Sequence, residues 1–288
     1  MQKIAPGLWH WEASHPEWEL SEPWAQDVSS YAIEDGGRLL LFDPLDLPAE
    51  LEELAAERET AIVLTAPWHE RDTRSLMERL GLPVYTPPVD TAQDLIDKFG
   101  ITAEQAGDGS PDLLWLRERG DGNFYLRSDE LPFEIEVFPG REHNDVVLWV
   151  ESKRAVISGD TLADFGSGLG IQGEWLRKGV TREEVAAGLR PLLSRPVEHV
   201  LAAHGGAYER SALERALNGG TLTARLTLVP IRRSARACGR CETTIPRGPR
   251  EAVARTAPTE QLARRICSRA SSSLIPATFG TMQAVSQE

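Results

Sequence analysis

The chain has 288 residues, 41% of them hydrophobic, enough for one large domain or two small ones with a buried core. Its net charge of −13 is unevenly spread: from Thr221 onward there are 11 Arg, no Lys and 4 acids, a net of +7, so the first 220 residues carry −20. A body that acidic argues against nucleic acid and anionic membrane as partners, and no apolar run is long enough to span a bilayer. The opening residues, MQKIAPGLWHW, lack a signal-peptide core, so a soluble, cytoplasmic protein is expected. All three cysteines, Cys238, Cys241 and Cys267, follow Thr221. Any metal in the body must therefore use histidine and carboxylates.

Taken in order, the first 28 residues hold Trp9, Trp11, Trp18 and Trp24, four of the eight tryptophans, with His10 and His15 among them. Tryptophan at that density reads as packing of an N-terminal strand and loop onto the core. Residues 30–44 read as a hairpin turning at Asp35-Gly36-Gly37, with a buried strand over 39–42 ended by Asp43-Pro44. A helix over 49–58 and a strand over 61–65 follow. The strand runs into TAPWHERDT, residues 65–73. Next come a helix through Leu76 and Leu80, a short strand at Val84-Tyr85 and a helix over 91–99. Residues 100–131 are less regular, an excursion with a strand or two. Residues 133–138, FEIEVF, alternate as a half-buried strand.

Residues 143–162, HNDVVLWVESKRAVISGDTL, are two apolar runs joined by a polar turn, the pattern of a buried hairpin. An antiparallel pair brings its outer ends together, so His143 and Asp160 are expected side by side at one rim of a sheet. Residues 163–173 are glycine-rich and loop-like. Residues 181–184 form a capping box for a helix reaching about Ser194. A strand over 197–202 ends in Ala203-His204-Gly205-Gly206, and a last helix over 209–217 stops at Gly219-Gly220. From Thr221 the core pattern is lost, and the Arg-rich segment 221–288 reads as a disordered or unrelated tail after a domain of residues 1–220.

Strands alternating with helices, with hairpins between them, indicate a layered α/β protein whose ligands gather beyond strand ends. Histidine and carboxylate recur at separate strand ends: in residues 65–72, at His143 with Asp160, and at His204. Such ends suit a zinc or other divalent ion, which needs three or four converging N/O ligands.

On these ordered motifs residues 5–218 resemble the metallo-β-lactamase fold hydrolases. Leu40-Leu41-Phe42-Asp43-Pro44 resembles the family's early strand ending in Asp. Pro139-Gly140-Arg141-Glu142-His143 resembles its third motif, with His143 the metal ligand. Ser158-Gly159-Asp160-Thr161-Leu162 is similar to the fourth, whose Asp bridges two metals, and Leu201-Ala202-Ala203-His204-Gly205 to the fifth. The resemblance implies a four-layer αβ/βα sandwich. The family's second motif, His-x-His-x-Asp-His, is eroded here to Pro67-Trp68-His69-Glu70-Arg71-Asp72. It leaves His69, His143, Asp160 and His204 as implied ligands and Asp72 as a further one. Asp72 or Asp160 would take a proton from the attacking water, and Arg71 would replace part of the charge of a second metal or pair with Asp72 or Asp160. One divalent ion, zinc, is the implied cofactor. The implied activity is metal-dependent hydrolysis of an ester, thioester, lactone or phosphoester, with a small-molecule substrate. The alternative is a catalytically weak or inactive protein that keeps the fold and binds a small molecule.

Overall fold

A computed structural model describes residues 1–120, 122–125, 131, 133–177 and 179–218. The Arg-rich tail and its three cysteines lie outside the described residues. A seven-stranded sheet comprises β1 (Gln2–Ala5), β2 (Leu8–Ser14), β3 (Asp27–Asp35), β4 (Arg38–Phe42), β5 (Thr60–Val63), β6 (Val84–Thr86) and β7 (Gly122–Phe124), in that order across the sheet. Pairing is antiparallel from β1 to β4 and parallel from β4 to β7. The second sheet comprises β8 (Ile135–Glu142), β9 (Asp145–Val150), β10 (Ala155–Ile157), β11 (His199–Ala202) and β12 (Gly206–Glu209). Its order is β12-β11-β10-β9-β8, with β10 and β11 parallel. The helices are α1 (Ala49–Glu57), α2 (Thr73–Leu80), α3 (Ala92–Phe99), α4 (Ala103–Ala106), α5 (Leu114–Arg119), α6 (Arg182–Leu189) and α7 (Arg210–Leu217).

Alternation along the strands explains the layers. In β4, Leu40 and Phe42 join a core shared with Val146, Leu148 and Val150 of β9, so these faces of the two sheets meet. Leu39 and Leu41 point the other way, onto Leu51 and Ala55 of α1 and Leu76 and Met77 of α2. Val147 and Trp149 of β9 likewise turn outward onto Val185, Leu189 and Leu213 of α6 and α7. Each central strand is covered on both faces, which is why LLLF and VVLWV read as unbroken apolar runs. The result is the expected four-layer αβ/βα sandwich.

Local signals account for the elements that frame the site. The β3–β4 turn puts Gly36 and Gly37 at φ 56° and 86°, a backbone that glycine adopts without strain. Capping boxes at Thr91, Thr102 and Thr181 start α3, α4 and α6. The excursion after Gly100 holds two short helices, α4 and α5, and only then the strand β7. The strand expected over 133–138 runs on through Pro139 to Glu142 as β8, and β12 adds an edge strand before α7.

Candidate metal centre

Buried and half-buried polar residues meet where strands of both sheets end. Asp43 follows β4, Thr65 and His69 follow β5, Asp160 follows β10 and His204 follows β11. Arg141 lies one residue before the end of β8, and Asp145 opens β9. Pro67 starts the 3-10 turn Pro67–His69, whose His69 N–H donates to Ala66 O at 3.1 Å. That turn lowers His69 into the rim and leaves Pro67 without a donor atom.

His69 lies between two carboxylates. Its Nδ1 is 3.0 Å from Asp43 Oδ2, and its Nε2 is 3.0 Å from Asp160 Oδ1. Asp43 is fixed in turn by Thr65, whose backbone N–H and hydroxyl donate to it at 2.8 and 2.6 Å. Burial disfavours charge on His69, yet Asp160 and Asp43 outweigh it and raise the imidazole to about 9. The same contacts, working against burial, hold Asp43 below and Asp160 well below the usual carboxylate range.

His204 Nε2 is 3.2 Å from the same Asp160 Oδ1. The rings of Trp24 and Trp175 pack edge-on against the imidazole at 4.6 and 5.2 Å, and its burial pushes the pKa down. Its Nδ1 has no hydrogen-bond partner among the described residues.

Asp160 is fully engaged. Oδ1 faces the two imidazoles, while Oδ2 accepts from Trp68 Nε1 at 2.9 Å and Arg141 Nη2 at 3.2 Å. Arg141 Nε also donates to Asp145 Oδ2 at 2.8 Å, and Nη1 to Trp175 O at 2.7 Å. The guanidinium stacks over Trp68 and Trp175, 5.4 and 5.3 Å from their ring centres. Asp145 is fully buried, and burial pushes its carboxyl up to about 7 in spite of Arg141.

Of the residues expected at the site, His69, Asp160 and His204 come together and His143, Asp72 and Arg71 do not. Strand β8 continues to Glu142, which pairs with Asp145, so His143 and Asn144 form the tip of the β8–β9 turn. His143 Nε2 lies 3.6 Å from Asp90 and 3.9 Å from Asp94, in a separate cluster. There Lys98 Nζ donates to both oxygens of Asp90 at 2.7 and 2.9 Å, to Asn144 at 3.2 Å, and pairs with Glu142. Asp72 precedes α2, and its carboxylate accepts the Asp46 N–H at 2.6 Å. It joins no donor group with His69, Asp160 and His204. Arg71 has φ 42° and turns beneath the ends of β3 and β4. Its Nη1 donates to Ser29 O, Ser30 Oγ and Asp43 O at 2.9, 3.2 and 2.6 Å, not to Asp72 or Asp160.

Arg141 is the residue that the motifs did not mark. Pairing slips between Pro139 and Glu142, a bulge that takes Gly140 and Arg141 out of the ladder. A Cβ on Gly140 would lie 2.0 Å from Asp145 O, so only glycine allows this approach. Arg141 N–H then donates to Thr161 Oγ1 at 3.0 Å, and its side chain is aimed at Asp160.

The arrangement fits one divalent ion. His69 Nε2, His204 Nε2 and Asp160 Oδ1 form a group of three donors, all in buried residues. Their spacings of 3.0 and 3.2 Å suit ligands that share one centre at ~2.0–2.1 Å. Asp43 supplies the outer carboxylate that metal-bound histidines favour; His204 has no such support among the described residues.

An αβ/βα sandwich with histidine and aspartate donors at its strand ends defines the class. The chain has the metallo-β-lactamase fold. It is similar to the DIM-1 metallo-β-lactamase, with 13% identity over 75% of this chain and 94% of that one and a TM-score of 0.50. It also matches a metallo-beta-lactamase family protein from Thermus thermophilus, TTHA1429, at 15% identity, 75% and 79% coverage and a TM-score of 0.48. A third match is TTHA1623 in a di-iron-bound form, at 23% identity, 72% and 98% coverage and a TM-score of 0.45. No family model and no curated protein matches the sequence. No helix among the described residues is long and apolar enough to cross a membrane.

Proposed function

We propose that the protein is a metal-dependent hydrolase that uses one divalent ion, zinc, held by His69, Asp160 and His204. The substrate class is an ester, thioester, lactone or phosphoester. The observation that carries this reading is the convergence of His69 Nε2 and His204 Nε2 on Asp160 Oδ1, at 3.0 and 3.2 Å, in residues 5–7% exposed. When bound, such an ion lowers the pKa of a water and polarises a carbonyl or phosphoryl oxygen.

The chain's own groups supply orientation and shelter. Asp43 takes the Nδ1 proton of His69 in a hydrogen bond and turns Nε2 toward Asp160. Trp68 and Arg141 hold Asp160 Oδ2, which fixes the direction of Oδ1. Trp24 and Trp175 wall His204 and keep bulk water from it. A small-molecule substrate would approach past the half-buried rings of Trp68 and Trp175.

The test is a panel of ester, thioester, lactone and phosphodiester substrates, run on protein as purified, stripped by chelator and reloaded with zinc. Turnover that is lost on stripping, restored by zinc and absent in His204→Ala supports the reading. Turnover indifferent to chelator refutes it. The competing reading is a small-molecule-binding protein without hydrolytic activity. The full engagement of Asp160 Oδ2 by Trp68 and Arg141 favours it, because that oxygen is then not free to take a proton. Zinc bound without turnover on any substrate of the panel would select it.

A further inference from the structure

We propose that the Arg141 guanidinium fills a cation position between the carboxylates of Asp145 and Asp160, and that removing its charge opens the chain to one additional divalent ion. The inference adjoins the proposed zinc site and rests on that reading only for the number of ions bound at the outset.

The two carboxylates are withdrawn from solvent, with Asp145 side chain 0% and Asp160 side chain 7% exposed. Buried carboxyl groups this close together are costly to ionise unless a cation lies between them. Arg141 meets that need with one arm on each: Nε to Asp145 Oδ2 at 2.8 Å and Nη2 to Asp160 Oδ2 at 3.2 Å. Its third arm, on Trp175 O, and the two indole faces fix the fork in place. The β8 bulge exists where it delivers this side chain. Asp145 Oδ1 is buried with no hydrogen-bond partner among the described residues, so one oxygen of the pair is not used by the protein. With the guanidinium gone, oxygens of Asp145 and Asp160 would face one gap, and carboxylate oxygens are ligands that zinc accepts as well as imidazole nitrogens. Arg71, the other guanidinium nearby, is placed elsewhere, with its Nη1 on Ser29 O, Ser30 Oγ and Asp43 O.

The experiment counts zinc per chain by calorimetry and elemental analysis in wild type, Arg141→Gln and Arg141→Gln/Asp145→Asn. Gln keeps an amide donor for the carboxylates and removes the charge. The expected result is one more zinc in Arg141→Gln than in wild type, and a return to the wild-type count in the double variant. An equal count in wild type and a folded Arg141→Gln overturns the proposal. If Arg141→Gln is unfolded without metal, zinc should restore cooperative unfolding, and failure of zinc to do so also overturns it. A wild-type count of zero would defeat the one-zinc reading alone, because the increment between wild type and variant is what tests Arg141.

Discussion

Two clusters of histidine and carboxylate lie at this rim, and they differ in where their positive charge comes from. At His143, Asp90 and Asp94, the ammonium of Lys98 already sits on both oxygens of Asp90 and against Glu142. His143, with its side chain 40% exposed, only borders that ion pair. At His69, Asp160 and His204 the three donor atoms face one another, and among the described residues no lysine or arginine reaches Asp160 Oδ1. The histidines thus differ in company: His143 borders a carboxylate that Lys98 already holds, while His69 and His204 meet at an oxygen that no lysine or arginine reaches among the described residues. Arg141 marks the border between the two cases, because it neutralises Asp160 on one oxygen and leaves the other to the imidazoles.

The comparison breaks most visibly at Lys98. Lys98→Met would leave Asp90 and Glu142 facing each other without their buried cation, and unpaired buried charge costs about 3–5 kcal/mol. Urea unfolding should show that loss while zinc binding per folded chain stays at the wild-type level. A loss under about 1 kcal/mol, set against that ~3–5 kcal/mol scale, would mean that the cluster is open to solvent.

On the other side of the comparison, Asp43→Asn removes the carboxylate that orients His69 and should weaken zinc about 10- to 100-fold. Competition with a chromophoric chelator measures this directly. Unchanged affinity would show that Thr65, 2.9 Å from His69 Nδ1, suffices alone.

A smaller effect is expected where α3 starts beside the Lys98 cluster. Thr91→Ala abolishes the capping box with Asp94 and should cost about 1 kcal/mol. Burial works against it, but the hydrogen bonds from Thr91, with the nearby His143 and Lys98, together outweigh burial and hold the Asp94 carboxyl below its ordinary value. A carboxyl whose folded pKa is depressed contributes stability above its unfolded value of ~3.9 and loses it as pH falls through the folded value. The wild-type advantage over Thr91→Ala should therefore shrink on acidification below about pH 4. A difference that stays constant through that acid range would place the effect elsewhere. The smallest expected change is at His143→Ala, about 0.5 kcal/mol or less as for other surface substitutions, with zinc content intact.

Much of this was legible in the sequence, for identifiable reasons. Strands covered on both faces leave unbroken apolar runs, and residues 39–42 and 146–150 announced the two sheet centres. Asp160 and His204 were readable because each closely follows such a run. Helix starts were readable where Thr and Glu or Asp stand three apart, as at Thr91 and Thr181. What failed was register. The alternation ends the strand at Phe138, but Pro139 and Gly140 lie inside β8 at a bulge. That shift exchanges the roles of Arg141 and His143: the residue beside the glycine reaches Asp160, and the one two further on is carried to the turn tip. Arg71 and Asp72 were misplaced for a related reason. Their directions depend on a φ of 42° and on a helix start, neither of which a motif specifies. The Trp24 and Trp175 walls were invisible because their partners are distant in the chain.

The most direct test of the account is zinc content after exhaustive dialysis of wild type, His204→Ala and His143→Ala, measured side by side by elemental analysis. The account expects one zinc per chain in wild type and in His143→Ala, and almost none in His204→Ala. Zinc lost from His143→Ala but kept by His204→Ala would contradict it and move the metal centre to the turn between β8 and β9.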